Sequence, residues 1–167
     1  MHVSLDSALG RQRRLNSVGE TISSIAPLAA AYSLRSLTGG DPRAVRVRRS
    51  SDDAEQDFTV SGINSGALIA FVGSGNDGFV DTWYDQSGND NHAINDTDAE
   101  QPKIVSSGSL IADGIDFDGS DDTLTAASVS GFGSTISIFE ASVRDNGGAA
   151  VVSMGSSAAT GNTNFGI

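Results

Sequence analysis

The stretch TWYDQSGNDNHA, residues 82–93, places Trp83, Tyr84 and Asp85 just ahead of His92. A histidine beside a carboxylate is the raw material of general acid–base catalysis, and an imidazole is also a metal ligand. A Trp–Tyr pair offers flat apolar faces on which sugar rings stack. Catalysis fares worst of these. A Ser–His–Asp relay needs a nucleophile held against the base, and no G-x-S-x-G elbow occurs. The other histidine, His2, lies in a tail-like segment, so His92 lacks a second imidazole for a metal. Two readings stay open. In one, Trp83, Tyr84, Asp85, Asn89 and His92 form a glycan-binding surface. In the other, Asp85, Asn89 and Asn91 bond their own backbone, Gly88 supplies positive φ, and the stretch is a stapled turn beside a core aromatic.

Carboxylates crowd a second stretch, DFDGSDD at 116–122. Asp116, Asp118 and Asp121 are candidate calcium ligands, since hard cations take oxygen donors. The EF-hand register fails, because Ala127 stands where the bidentate glutamate belongs. The competing reading is a strand that carries Phe117 into the core and ends in a Gly-Ser-Asp turn. Glycoside hydrolysis needs two carboxyls facing across a cleft. Most acids here fall in turns, and Glu140, inside TISIFEASV, is the exception. GSGNDG at 73–78 lacks the Lys-Ser/Thr of a phosphate-binding loop and reads as a linker turn.

The elements that must position these residues follow from periodicity. LAAAYSLRSL, preceded by Ser24 and Pro27, predicts a helix broken by TGGDP. AVRVRRSSDD alternates valine with arginine and predicts a half-buried strand, its arginines neutralising acidic loops. A short helix is expected over 65–72, a strand over Phe79–Tyr84 and a turn over Gln86–Asn91. On that strand Trp83 and Tyr84 point to opposite faces. Short apolar runs then alternate with turn residues (QPKIV, SLIADGIDF, DTLTAASV, STISIFEASV, AAVVSMG), the pattern of a β-sandwich or barrel.

Composition and charge narrow the classes. The 167 residues suffice for one domain with a core, and 20 glycines at 38% hydrophobic content suit a turn-rich β protein. No apolar run reaches the roughly 18 residues of a membrane span, and no secretory h-region is present. Without cysteine there is neither a disulfide framework nor a thiolate zinc site. The net charge of −11 is unevenly spread. Eight arginines fall within residues 1–50, whereas the rest of the chain carries eighteen acids against Lys103 and Arg144. So acidic a body repels nucleic-acid phosphates. Residues 1–27 are too short and polar to fold alone, and read as an arm whose Leu5, Leu9, Leu15, Arg11, Arg13 and Arg14 dock on a partner.

The ordered set AAYSLRSL, AVRVRRSSDDAEQDF, LIAFVGSGNDGFVDTWYDQSGNDNHA, QPKIV and IDFDGSDDTL resembles bacteriophage virion proteins that carry a concanavalin A-like, laminin-G-like lectin domain. RVRRSSDD followed by WYDQSGNDNHA also resembles the N-terminal half of the arabinofuranosidase B catalytic domain. The resemblance covers about residues 29–155. It implies a jelly-roll sandwich over 28–167 behind an anchoring arm over 1–27, as in tail-fibre or head-appendage proteins. It implies a virion location after assembly in the host cytoplasm. The implied partners are portal, adaptor, tail or capsid proteins, further copies in a trimer or ring, and host surface glycan. No catalytic residue carries over, because that family's catalytic carboxylates have no counterpart here, and fold alone does not transfer activity. The chain ends before such a sandwich has strands enough to close, so a longer native polypeptide is expected.

Overall fold

The computed structural model describes residues 28–112 and 114–127, with Val129, Ile138 and a short pairing of Ser153–Met154 with Phe165–Gly166. The arm over 1–27 and Glu140 lie outside the described residues. The protein is mainly β. β1 (Arg43–Arg49), β2 (Glu55–Thr59), β3 (Gly78–Trp83), β4 (Ala93–Ile94), β5 (Lys103–Ser106) and β6 (Ser109–Leu110) form one antiparallel six-stranded sheet. Its order is β2-β1-β3-β5-β6, with β4 also on β3. Register shifts interrupt the β1–β2, β1–β3 and β3–β5 ladders, and such bulges add the twist that curls a sheet.

Between β2 and β3 the chain forms two short helices, α1 (Val60–Asn64) and α2 (Ala67–Val72). α2 is the helix expected over 65–72, and its N-cap is Gly66 at φ 82°. The Thr59 side chain caps α1 by accepting from Gly62 N–H. Ile63, Leu68 and Val72 of these helices pack with Val45, Val47, Phe58, Val80, Ile104 and Val105. Contact is closest at Gly78, where a Cβ would sit 2.9 Å from Val72 Cγ2 and 3.1 Å from Val47 Cγ1. Only glycine lets the helix approach the strand so nearly. No helix among the described residues is long and apolar enough to cross a membrane.

β1 departs from simple alternation. Ala44, Val45 and Val47 are fully buried, and so is most of Arg48. The Arg48 guanidinium donates to Gln101 Oε1 (2.8 Å), Asp53 Oδ1 (2.7 Å) and the Asp98 carbonyl (3.0 Å), over the Phe79 ring. Arg46 meets Asp57 at 2.8 Å, so the arginines neutralise acids as the alternating pattern predicts.

Two expectations fail. Phe117 is 40% exposed and outside the core, since the bridge that holds this stretch pairs Asp116 with Lys103 and leaves the next residue at the rim. No helix forms over residues 28–37, because another part of the chain takes their backbone groups.

Candidate functional site

That other part is the loop that leaves β3. Tyr84 N–H closes the ladder on the Ala44 carbonyl at 2.9 Å, and the chain then turns sharply through Asp85–Asn91. Asp85 is the hub. Its Oδ1 accepts from Ala31 N–H (2.7 Å) and Ser87 N–H (2.8 Å), and its Oδ2 from Ser87 Oγ (2.7 Å) and Asn91 N–H (3.1 Å). Burial alone pushes this carboxyl upward, but the hydrogen bonds from Ser87, Ala31 and Asn91 outweigh it and hold its pKa below the ordinary value.

The rest of the loop reads the backbone of residues 28–37. Gln86 Nε2 donates to the Ser33 and Arg35 carbonyls, and Gln86 Oε1 accepts from Leu37 N–H. Asn89 Nδ2 donates to the Leu28 and Ala29 carbonyls, and Asn91 Nδ2 to Ala29. A backbone bond from Gln86 N–H to the Ala31 carbonyl completes the set. These are the donors and acceptors a helix would pair internally, so tertiary partners override the helix propensity of LAAAYSLRSL. The Tyr32 hydroxyl also donates to the Asn91 carbonyl. Burial, then the Asp85 charge, push the Tyr32 phenol up to about 12.

The two aromatics have separate fates. Tyr84 is 7% exposed and its hydroxyl donates to Asp57 Oδ1 at 2.8 Å. The Arg43 guanidinium lies 4.5 Å from its ring centroid, and the His92 ring packs against it at 4.9 Å, nearly perpendicular. Burial and the hydrogen bond to Asp57 raise the Tyr84 phenol. Trp83 packs on the core and, at 5.7 Å between centroids, on Tyr32; its indole N–H finds no acceptor among the described residues.

His92 Nδ1 accepts from Asp85 N–H at 3.1 Å, which places the proton of a neutral imidazole on Nε2. Asp85 and His92 therefore meet through a backbone N–H rather than as acid and base. Asp90, Asn91 and His92 line an open depression of about 490 Å³, with Ile94, Asp96 and Thr125 opposite. Of the sugar-site candidates, Tyr84, Asp85 and Asn89 spend their polar groups on the chain itself, while His92 faces this depression. Asp90, Asn91 and Asp96 carry no signal beyond turn-forming types in the sequence, and Ile94 and Thr125 none beyond strand-forming ones.

The acidic stretch brings together Asp118, Asp121 and Asp122, one oxygen of each lying within 4.8 Å of the others. Asp116 is not in this group, its backbone being bridged to Lys103. Asp118 Oδ1 caps the turn by accepting from Ser120 N–H at 2.8 Å. Burial, and the charges of Asp118, Asp121 and Asp116, raise Asp122. Exposed acidic clusters of this kind are common without an ion, and Asp118 Oδ1 is already engaged in its own turn. Comparison with protein-family models, curated proteins and solved structures finds no match to this chain.

Proposed function

We propose that the chain is a structural, non-enzymatic protein of a tailed-bacteriophage particle, its β domain a concanavalin A-like jelly roll displayed outward. Residues 1–27 attach it to a portal, adaptor, tail or capsid protein. Leu5, Leu9 and Leu15 pack in the partner's groove, and Arg11, Arg13 and Arg14 pair with acids there. A short arm holds weakly on its own, so the assembly is a trimer or ring that multiplies the contact.

One observation supports this reading above others. The YDQSGNDN loop, the stretch that carries the resemblance, spends its side chains fastening residues 28–37 to the domain. The root of the arm is thereby tied to the sheet. A domain carried on such an arm has the arm's root held by hydrogen bonds from this loop, which suits a display protein and leaves few of the loop's polar groups free for catalysis. The test is mass spectrometry of purified virions carrying the wild-type gene or the triple variant Arg11→Glu, Arg13→Glu, Arg14→Glu. The wild-type chain is expected in the particle and the variant is expected to be missing from it. Absence of the wild-type chain would overturn the virion assignment, and normal incorporation of the variant would overturn the arm.

The depression beside His92 favours a second reading, a glycan-binding module, compatible with the first. It offers an imidazole N–H and two exposed carboxylates around the apolar Ile94, a mixture that suits sugar hydroxyls and a sugar face. Host surface glycan is the ligand class.

A further inference from the structure

Residues 28–37 belong to no strand or helix. They lie against the domain through side chains of a single loop, through Leu34 on the core and through Tyr32 on Trp83. Ala31 is their only fully buried residue, whereas the core beneath comprises ten buried apolar residues. Lifting the segment away therefore exposes far less apolar surface than opening the sheet. The chain also has a place to bend. Gly39 and Gly40 follow after Thr38 at φ 87° and 71°, and a Cβ on Gly40 would touch nothing within 4 Å.

From these facts we infer that residues 28–37 form a latch, hinged at Gly39–Gly40 and keyed into the 85–91 loop by Asp85, which opens as a unit while the sheet stays folded. Small cooperative units of this kind open at a fraction of the global unfolding free energy when few apolar contacts hold them. Opening uncovers Trp83, against which Tyr32 packs. It also releases Asn91, whose side chain and carbonyl both hold the latch and which lines the depression beside His92. The position of the N-terminal segment is thus coupled to the shape of that depression, and the coupling is reciprocal. The inference rests on the contacts alone and stands whether or not residues 1–27 dock on a particle.

Native-state hydrogen exchange on the full chain tests it, with acrylamide quenching of Trp83, the sole tryptophan, as a second readout. In the wild-type chain the amides of Ala31 and Leu37 should exchange together, on the order of 100-fold faster than those of Val45, Val47 and Val80. Asp85→Ala should raise their rate further and make Trp83 more quenchable while the sheet amides keep their protection. Should that variant fail to fold, the milder pair Asn89→Ala with Asn91→Ala, which removes the bonds to Leu28 and Ala29 and, within the loop, the one from Asn89 to Ser87 Oγ, gives the same readouts. Exchange of latch and sheet amides at one common rate would overturn the latch. So would a faster-exchanging segment with Trp83 quenching unchanged.

Discussion

The Asp85 carboxylate accepts the backbone N–H of Ala31 at 2.7 Å, across 54 residues of sequence. This bond joins the root of the N-terminal segment to the end of β3, and both partners are buried. Because Asp85 is held below the ordinary carboxylate pKa, its contribution to stability is fully present above the unfolded-state value. It is lost as pH falls from about 4 through the lower folded-state value. Asp57, also lowered because bonds from Tyr84, Arg46 and Arg43 outweigh its burial, acts in the same window. An acid titration followed by Trp83 fluorescence should show cooperative loss below about pH 4. Asp85→Ala should have its N-terminal segment already loosened at neutral pH, with Trp83 more quenchable, and show a shallower dependence below about pH 4. An identical acid profile in the variant would remove Asp85 from that role.

Gly78→Ala should destabilise the chain by about 1–3 kcal/mol. The new methyl meets Val72, Val47 and Val105, three branched side chains with little room to turn. Urea denaturation gives the value, and a change within about 0.5 kcal/mol would mean that α2 shifts freely over the sheet.

Arg48→Met should cost about 1–3 kcal/mol, because Gln101 Oε1 loses its donor in a buried setting. Asp53 and Asp98 are solvated and add little when left alone. Arg48→Lys should fail to restore stability, since a single ammonium cannot donate to Gln101, Asp53 and the Asp98 carbonyl in the geometry of the planar fork. Thermal melts of the two variants side by side decide this; full rescue by lysine would make Arg48 a simple counter-charge.

His92→Ala should weaken glycan binding at least about tenfold, roughly 1.4 kcal/mol, on an immobilised glycan panel, and leave the fold intact. Trp83→Ala should instead cost roughly 3–5 kcal/mol of stability, as truncation of a packed aromatic does. The opposite pattern, binding lost with Trp83 at unchanged stability, would return the sugar platform to the aromatic pair.

Much of the sheet was legible because its strands carry local signals. Val45 and Val47 announced β1, and the apolar run ending at Trp83 announced β3. The turn chemistry of Asp85, Gly88 and Asn89 was readable for the same reason. What could not be read was the reach of those side chains. Gln86 and Asn89 bond residues more than 50 positions away, and no local pattern encodes that partner. The error over residues 28–37 has this cause, for the propensity of LAAAYSLRSL is real and is overruled from a distance. Arg48 misled in a similar way. An arginine that follows an alternating Val-Arg-Val run reads as outward-facing, but Gln101, Asp53 and Asp98 converge to satisfy it inside. The depression beside His92 is assembled from two separate stretches, so its walls had no signature in either.

Among the described residues β2 ends the sheet on one side, with β1 as its one neighbour and Glu55, Gln56 and Asp57 along it. An unpaired strand flank is a template on which a foreign strand can grow. Here that growth would bring carboxylates of one molecule against those of the next, with Arg46 already committed to its own Asp57 and Glu55. Charge along a sheet margin is a known guard against fibre formation. Copies of this domain can therefore crowd side by side at high local density and still resist aggregation through that margin.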